Sequence, residues 1–186
     1  SFALGLVLVA AFALRSSRHP APLFDLELYR LRSYSVANIA SVFFAFAFFG
    51  WLVSLPTLIQ SVWGWSVLTT GFAIAPGPLM AFFVAPPAGR MADRIGNRLI
   101  LTVCGSSGAI GMGLFITNFG AEPQYLSDIL LPSLFIGVAA GTGFSQLVGA
   151  AMRDVPPHQY AMGAAGRTTA FQMAIALGIA VAVAII

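Results

Sequence analysis

Gln60-Ser61-Val62-Trp63-Gly64-Trp65-Ser66 interrupts a stretch, Ser33 to Gly89, that holds no Asp, Glu, Lys or Arg. One membrane-spanning helix needs about 20 residues at a rise of about 1.5 Å each. More than fifty uncharged residues therefore form two helices. The turn falls at this break, where polar residues and a glycine adjoin two tryptophans of the kind that anchor at a membrane interface. The spacing predicts helices near 35–59 and 66–87. Working outward, further apolar runs predict helices near 99–117, 129–151 and 160–186, and 1–14 reads as the end of a preceding helix. Residues 15–34 then form a connecting loop. The fold class expected is all-α, a polytopic transmembrane helical bundle.

Composition supports that reading. Of 186 residues, 59% are hydrophobic and 8% charged, and mean hydropathy is +0.90, whereas about a quarter of residues in a soluble domain are charged. A pI near 9.6 does not indicate a nucleic-acid partner, because the basic residues flank long apolar runs instead of covering a polar surface. A single cysteine excludes a disulfide scaffold and any cysteine-based metal site. Ser1 in place of an initiator methionine, and apolar runs at both ends, lead us to expect a piece of a longer chain. The opening run lacks the basic leader and small-residue cleavage site of a signal peptide.

The nine basic residues, all arginine, set the expected orientation. Arg15, Arg18, Arg30 and Arg32 precede the 35–59 helix, Arg90, Arg94 and Arg98 separate the next two, and Arg153 and Arg167 stand at the start of the last. The other two loops carry none. Random placement gives that distribution about once in 256 trials, so the positive-inside rule puts the arginine-rich loops in the cytoplasm and Glu122 and Asp128 outside.

The most informative segment is Pro86-Pro87-Ala88-Gly89-Arg90-Met91-Ala92-Asp93-Arg94-Ile95-Gly96-Asn97-Arg98, read as a short loop. Gly89 and Gly96 permit tight turns or close helix approach, and Asp93 suits the positive N-terminal end of a neighbouring helix. An ordinary positive-inside loop explains the arginines but not Asp93 with both glycines. The pattern Gly89, Asp93, Arg94, Gly96, Arg98 resembles the loop motif of the major facilitator superfamily, which recurs between the second and third helices of each half of those transporters. Gly71 to Pro78 running into Pro86 and Gly89, with Pro22 to Arg30 before it, is similar to the 14-helix drug:proton antiporter branch. In that branch the 160–186 helix often carries Arg-Gln followed by glycines; here Phe171-Gln172 stands there, with Arg167 one turn earlier.

The resemblance implies a major-facilitator-type bundle in which 1–14 ends a linker helix and 35–186 forms an incomplete second domain. It implies a proton-coupled exporter of lipophilic or cationic small molecules in a bacterial cytoplasmic (inner) membrane. The proton gradient would be its energy source, with no cofactor, and the remaining half of the transporter its partner. Gly89, Asp93, Arg94, Gly96 and Arg98 would form a cytoplasmic latch. A 12-helix importer or exporter of a specific metabolite and a non-transporting membrane scaffold are the alternatives.

Candidate cavity residues follow helical spacing. Phe44, Phe48 and Trp51 recur at i, i+4 and i+7, an aromatic face suited to a lipophilic cation or to lipid. Thr142, Ser145, Gln146 and Gly149 share a polar face that serves either substrate or interhelical hydrogen bonding, and Gly137 with Gly141 suits close helix contact. Gly105, Ala109 and Gly113 at four-residue spacing, with Ser107 and Gly111 beside them, are read as packing. Pro76, Pro78 and Pro86 predict kinks, static or gating. Phe24, Leu28 and Leu31 would lie along the membrane surface or in a solvated connector. No carboxylate or histidine is expected within the 35–186 helices, and His19 and His158 fall in loops. Ser145 lacks an intramembrane base for hydrolysis, no residues are spaced for a metal, and the helix 99–117 glycines follow no strand, which removes a nucleotide loop.

Overall fold

The fold is seen in a computed structural model that describes residues 26–120 and 122–185. Phe24, His19 and the 1–14 run lie outside them. The described residues contain no strand. A 3-10 turn, Leu26–Arg30, leads into α1 (Arg32–Trp63), followed by α2 (Val67–Ile74), α3 (Pro76–Ile95), α4 (Asn97–Asn118), α5 (Leu131–Met152) and α6 (Tyr160–Ile185). Among the described residues five segments are long and apolar enough to cross a membrane: α1, α2 with α3, α4, Leu126–Met152 and Pro157–Ile185.

Local chemistry explains where these helices end. α1 runs through Gln60 and Trp63 and stops at Gly64, whose φ of +64° suits a residue without a Cβ. Ser66 then caps α2 by accepting the Thr69 N–H at 3.2 Å. The expected 66–87 helix is broken once, at Ala75, because Pro76 and Pro78 carry no N–H for the preceding turn. Pro86 and Pro87 break nothing: α3 passes through them to Ile95. The segment read as a loop is therefore mostly helix, and Gly96 alone separates α3 from α4, at φ +87°.

The bundle is organised around α5. In its most apolar window 56% of residues are buried, against 17% to 28% in the other spans, so α5 has helices on several sides. It packs on α3, α4 and α1, while α6 packs on α1. Glycines set these distances. A Cβ on Gly137 would fall on the Gly77 carbonyl oxygen and 2.9 Å from Met80 Cβ, and one on Gly141 would lie 2.7 Å from Ala81 O. The expected small-residue pair is thus the α3–α5 crossing. In α4 only part of the expected packing set is in contact: Gly105 and Gly113 face open space, whereas a Cβ on Gly111 would lie 2.8 Å from Ile136. The buried row is Ile100, Cys104, Ser107, Gly111 and Phe115.

Both ends of the bundle are tied. At the arginine-rich end Leu28, Tyr34, Ala37, Ala151 and Val155 form a buried cluster, and the Tyr34 hydroxyl donates to Gly163 O at 2.8 Å. Leu28 is 3% exposed, so it belongs to the bundle and does not lie on a membrane surface. At the other end Leu55, Ile59, Phe115 and Ile129 are buried among Trp63, Trp65, Phe119 and Tyr125. Trp63 stacks on Phe119 with ring centres 5.0 Å apart, and its indole N–H donates to Gly120 O at 2.9 Å.

One carboxylate is placed differently from its expected outer loop. Asp128, 2% exposed, lies in a π-helical turn, Leu126–Leu130, continuous with α5. It accepts the Gln124 N–H at 3.0 Å and the Ser127 hydroxyl at 2.6 Å, and its own N–H donates to Gln124 O at 2.9 Å. The carboxylate thus caps a free N–H at the start of the helix while the backbone bond is an ordinary helical one, and the positive helix end favours the negative charge.

Candidate functional site

The aromatic row of α1 is turned inward. Phe44 stacks on Phe48 with ring centres 5.8 Å apart, and Phe144 of α5 meets both edge-on, at 5.2 and 5.4 Å. The strongly exposed aromatic on this helix is Phe43 (71%), on another face. Offset and edge-on aromatic contacts each add about 0.5–1.5 kcal/mol beyond their area, so the row holds α1 against α5.

Beside it, where α1, α3 and α5 meet, is a cavity of about 240 Å³. Phe48, Trp51 and Phe144 supply its aromatic wall, Gly77 and Gly137 its floor, and Ser133 a hydroxyl. Trp51 Nε1 and Ser133 Oγ are both buried without a hydrogen-bond partner. Phe48 and Trp51 thus line the cavity, and Phe44 supports it from behind.

Thr142 and Gln146 lie elsewhere. Both are buried, at 3% and 7% exposure, and they stand roughly opposite Phe144 around the helix. The Thr142 hydroxyl donates to Val138 O at 2.7 Å, within its own helix. Gln146 Nε2 donates to the adjacent Ser145 Oγ at 3.3 Å. The Cys104 thiol of α4 also pairs with the Thr142 hydroxyl and donates to Ala139 O at 3.3 Å, so this face bonds both within α5 and across to α4. Two residues absent from the sequence reading, Ser133 and Phe144, belong to the cavity. Their signal was available: Ser133, Gly137, Ala140 and Phe144 recur at i, i+4, i+7 and i+11.

The aromatic cluster continues to a charge. Phe171 of α6 lies 6.3 Å from Phe144, and the Arg167 guanidinium carbon stands 5.6 Å above the Phe171 ring. Arg167 is about two turns inside α6, and its Nε is buried without a hydrogen-bond partner.

The charged motif has its own geometry. Gly89, Asp93 and Arg94 occupy the last two turns of α3, and Arg98 the first turn of α4. Asp93, Arg94 and Arg98 are exposed. Asp93 at the negative end of α3 and Arg98 at the positive end of α4 oppose the local helix dipoles, each by about 0.3–1 kcal/mol. Stability of these helices does not explain them. A Cβ on Gly89 would meet nothing within 4 Å, so its close-approach role is not used among the described residues.

Membrane-length helices crossing at glycine contacts, a small aromatic cavity and an unpaired charged motif at one end define a transporter-type helical domain. The sequence model described as Major Facilitator Superfamily matches residues 1–179. The chain belongs to this family of transporters and is an integral membrane protein. It is 33% identical over 160 residues to the "Multidrug resistance protein B homolog" of Mycobacterium tuberculosis, covering 86% of this chain and 30% of that protein. It is 28% identical to "Riboflavin transporter RibZ" of Clostridioides difficile, over 94% of this chain and 38% of that one. With "Lincomycin resistance protein LmrB" of Listeria monocytogenes it shares 27% identity, over 100% of this chain and 39% of that one. The chain therefore spans 30% to 39% of the length of these relatives.

Proposed function

We propose that this chain is part of the second domain of a proton-coupled exporter of lipophilic or cationic small molecules. The aromatic cavity at the α1, α3 and α5 junction carries this reading, because it joins a ring-binding surface to helices that cross closely at glycine positions. Relatives named for multidrug and lincomycin resistance support it. Phe48 and Trp51 would contact substrate, with Phe44 behind them; Thr142 and Gln146 would serve packing.

The motif would be a latch. Asp93, Arg94 and Arg98 lie exposed at the arginine-rich end, which we place in the cytoplasm, with Gly89 left open for close approach by the other domain. Gly96 would set the angle between α3 and α4. Alternating access requires the first domain as its rocking partner, around a site near the membrane midplane. The whole protein would sit in a bacterial cytoplasmic membrane and draw on the proton gradient.

The test is export of a fluorescent dye by the full-length protein in reconstituted vesicles. Dye moves against an opposing proton gradient, and collapsing that gradient stops the flux. Flux unchanged after collapse refutes the antiport reading. The relative named as a riboflavin transporter favours the metabolite reading, and riboflavin movement without dye movement in the same vesicles selects it.

A further inference from the structure

We propose that Arg167 is the substrate anchor of this domain: its guanidinium takes the carboxylate of an aromatic acid whose ring lies on the adjoining phenylalanine cluster. This rests on reading the domain as part of an exporter and specifies the substrate class of its aromatic face.

The aromatic surface is built by three helices. Phe171 of α6 lies 6.3 Å from Phe144 of α5 and 6.4 Å from Phe49 of α1, and Phe144 meets Phe48 at 5.4 Å. The cluster lies on the side of α5 away from α4, because Thr142, which bonds the Cys104 thiol of α4, stands roughly opposite Phe144 around the helix. All four rings are only half-buried. They leave surface on which a further ring packs edge-on or offset.

Arg167 gives this face its charge. Its guanidinium carbon stands 5.6 Å over the Phe171 ring, a position that cation–π attraction favours. The Tyr34 hydroxyl, within electrostatic reach of Arg167, donates to Gly163 O one turn earlier and pins this stretch of α6 to α1. Of the three guanidinium nitrogens only Nε is closed off, and none makes a hydrogen bond or ion pair with a described residue. The side chain is half-buried, so its terminal nitrogens are open to a ligand.

Those nitrogens select an anion. A guanidinium is a planar fork of N–H donors that matches a carboxylate and accepts nothing. No Asp or Glu occurs in α1, α5 or α6, so the helices that build the face supply no counter-ion. A cationic ligand meets like charge there, and a neutral ring leaves the fork unfilled. An aromatic acid uses both parts, its ring on the phenylalanines and its carboxylate on the fork.

The experiment uses the full-length protein in zwitterionic nanodiscs and three probes with one ring system: pyrenebutyrate, pyrenebutanol and pyrenebutyltrimethylammonium. Binding is measured by equilibrium dialysis and corrected for partition into empty nanodiscs. We expect pyrenebutyrate to bind about 10-fold more tightly than the alcohol, the low end for hydrogen bonds to a charged group because Arg167 is partly exposed, and more tightly than the ammonium. In Arg167→Gln the carboxylate preference falls toward one. In Arg167→Lys, which keeps the charge but not the fork, it is intermediate. Equal or tighter binding of the alcohol or the ammonium in the wild type overturns the proposal, whether a lipid phosphate or a carboxylate of the remaining half then occupies Arg167. A preference undiminished in Arg167→Gln overturns it as well. The preference is a ratio within one protein, so lower overall affinity in a variant does not imitate the result, and the wild-type comparison needs no substitution. Proton-coupled dye export alongside an overturning result leaves the exporter reading standing. A carboxylate preference without proton-coupled export removes that reading and keeps the site.

Discussion

Replacing Gly137 with leucine will prevent the full-length protein from being recovered as a stable, monodisperse species in detergent. A single Cβ at this position already lands on the Gly77 carbonyl oxygen of α3 and within 2.9 Å of Met80 Cβ. Backbone cannot move aside as a flexible side chain can, so four added carbons force α3 and α5 apart. Overpacking costs about 1–3 kcal/mol, occasionally more; here it also separates the helix that the rest of the bundle surrounds. Gly137→Ala is expected to fall between leucine and wild type. Gly105→Ala and Gly113→Ala, with nothing within 4 Å, serve as controls and should hold or raise stability by about 0.4–1 kcal/mol, since alanine favours helix more than glycine does. Thermal unfolding followed by size-exclusion chromatography reads all four, and wild-type behaviour of Gly137→Leu would refute the close crossing.

Asp93→Asn will slow dye export by about 5- to 150-fold, the range of a coupling free energy between two conformational states, without loss of folded protein. The sign on stability follows from position. Asp93 sits in the last turn of α3, where its charge opposes the negative helix end, so removing the charge leaves α3 as stable or slightly more so. Asp93 contributes nothing favourable to its own helix and is exposed at the end of the bundle, so in the proposed latch it would act on a partner outside this domain. Export at the wild-type rate in Asp93→Asn, with equal protein in the membrane, would remove the latch role.

How much of this was legible in the sequence depends on whether a feature needs a neighbour. The uncharged run from Ser33 to Gly89 required two helices by length alone, and the glycine at its middle is where the chain turns, at φ +64°. The i, i+4, i+7 aromatic row of α1 could be recognised from spacing, but its inward direction could not, because only Phe144 on α5 tells it from lipid-facing Phe43. The segment from Pro86 to Arg98 reads as a loop with a kink at Pro86, yet α3 passes through Pro86 and Pro87 to Ile95; in a membrane helix the loss of two donors is tolerated when the rest of the turn is held. Asp128 looked like an outer-loop charge because its capping partners, Gln124 and Ser127, become partners only once the π-helical turn forms. Thr142 reads as part of a polar seam, and its hydroxyl bonds both the carbonyl one turn back and the Cys104 thiol of α4, a partner that spacing alone does not name. In α4 the small residues read as packing include Ser107 and Gly111, which are buried, and Gly105 and Gly113, which face open space, since spacing identifies a small-residue stripe but not which part of it another helix lies against.

Cysteine accessibility measures the central claim most directly. In the full-length protein freed of native cysteines, single cysteines at Arg90, Arg153 and Glu122, all exposed, are treated with a membrane-impermeant thiol reagent on intact cells. The account predicts that Glu122→Cys is labelled from outside, while Arg90→Cys and Arg153→Cys react only after the membrane is opened. Labelling of Arg90→Cys and Glu122→Cys from the same side would contradict it, because α4 would then not cross the bilayer between them.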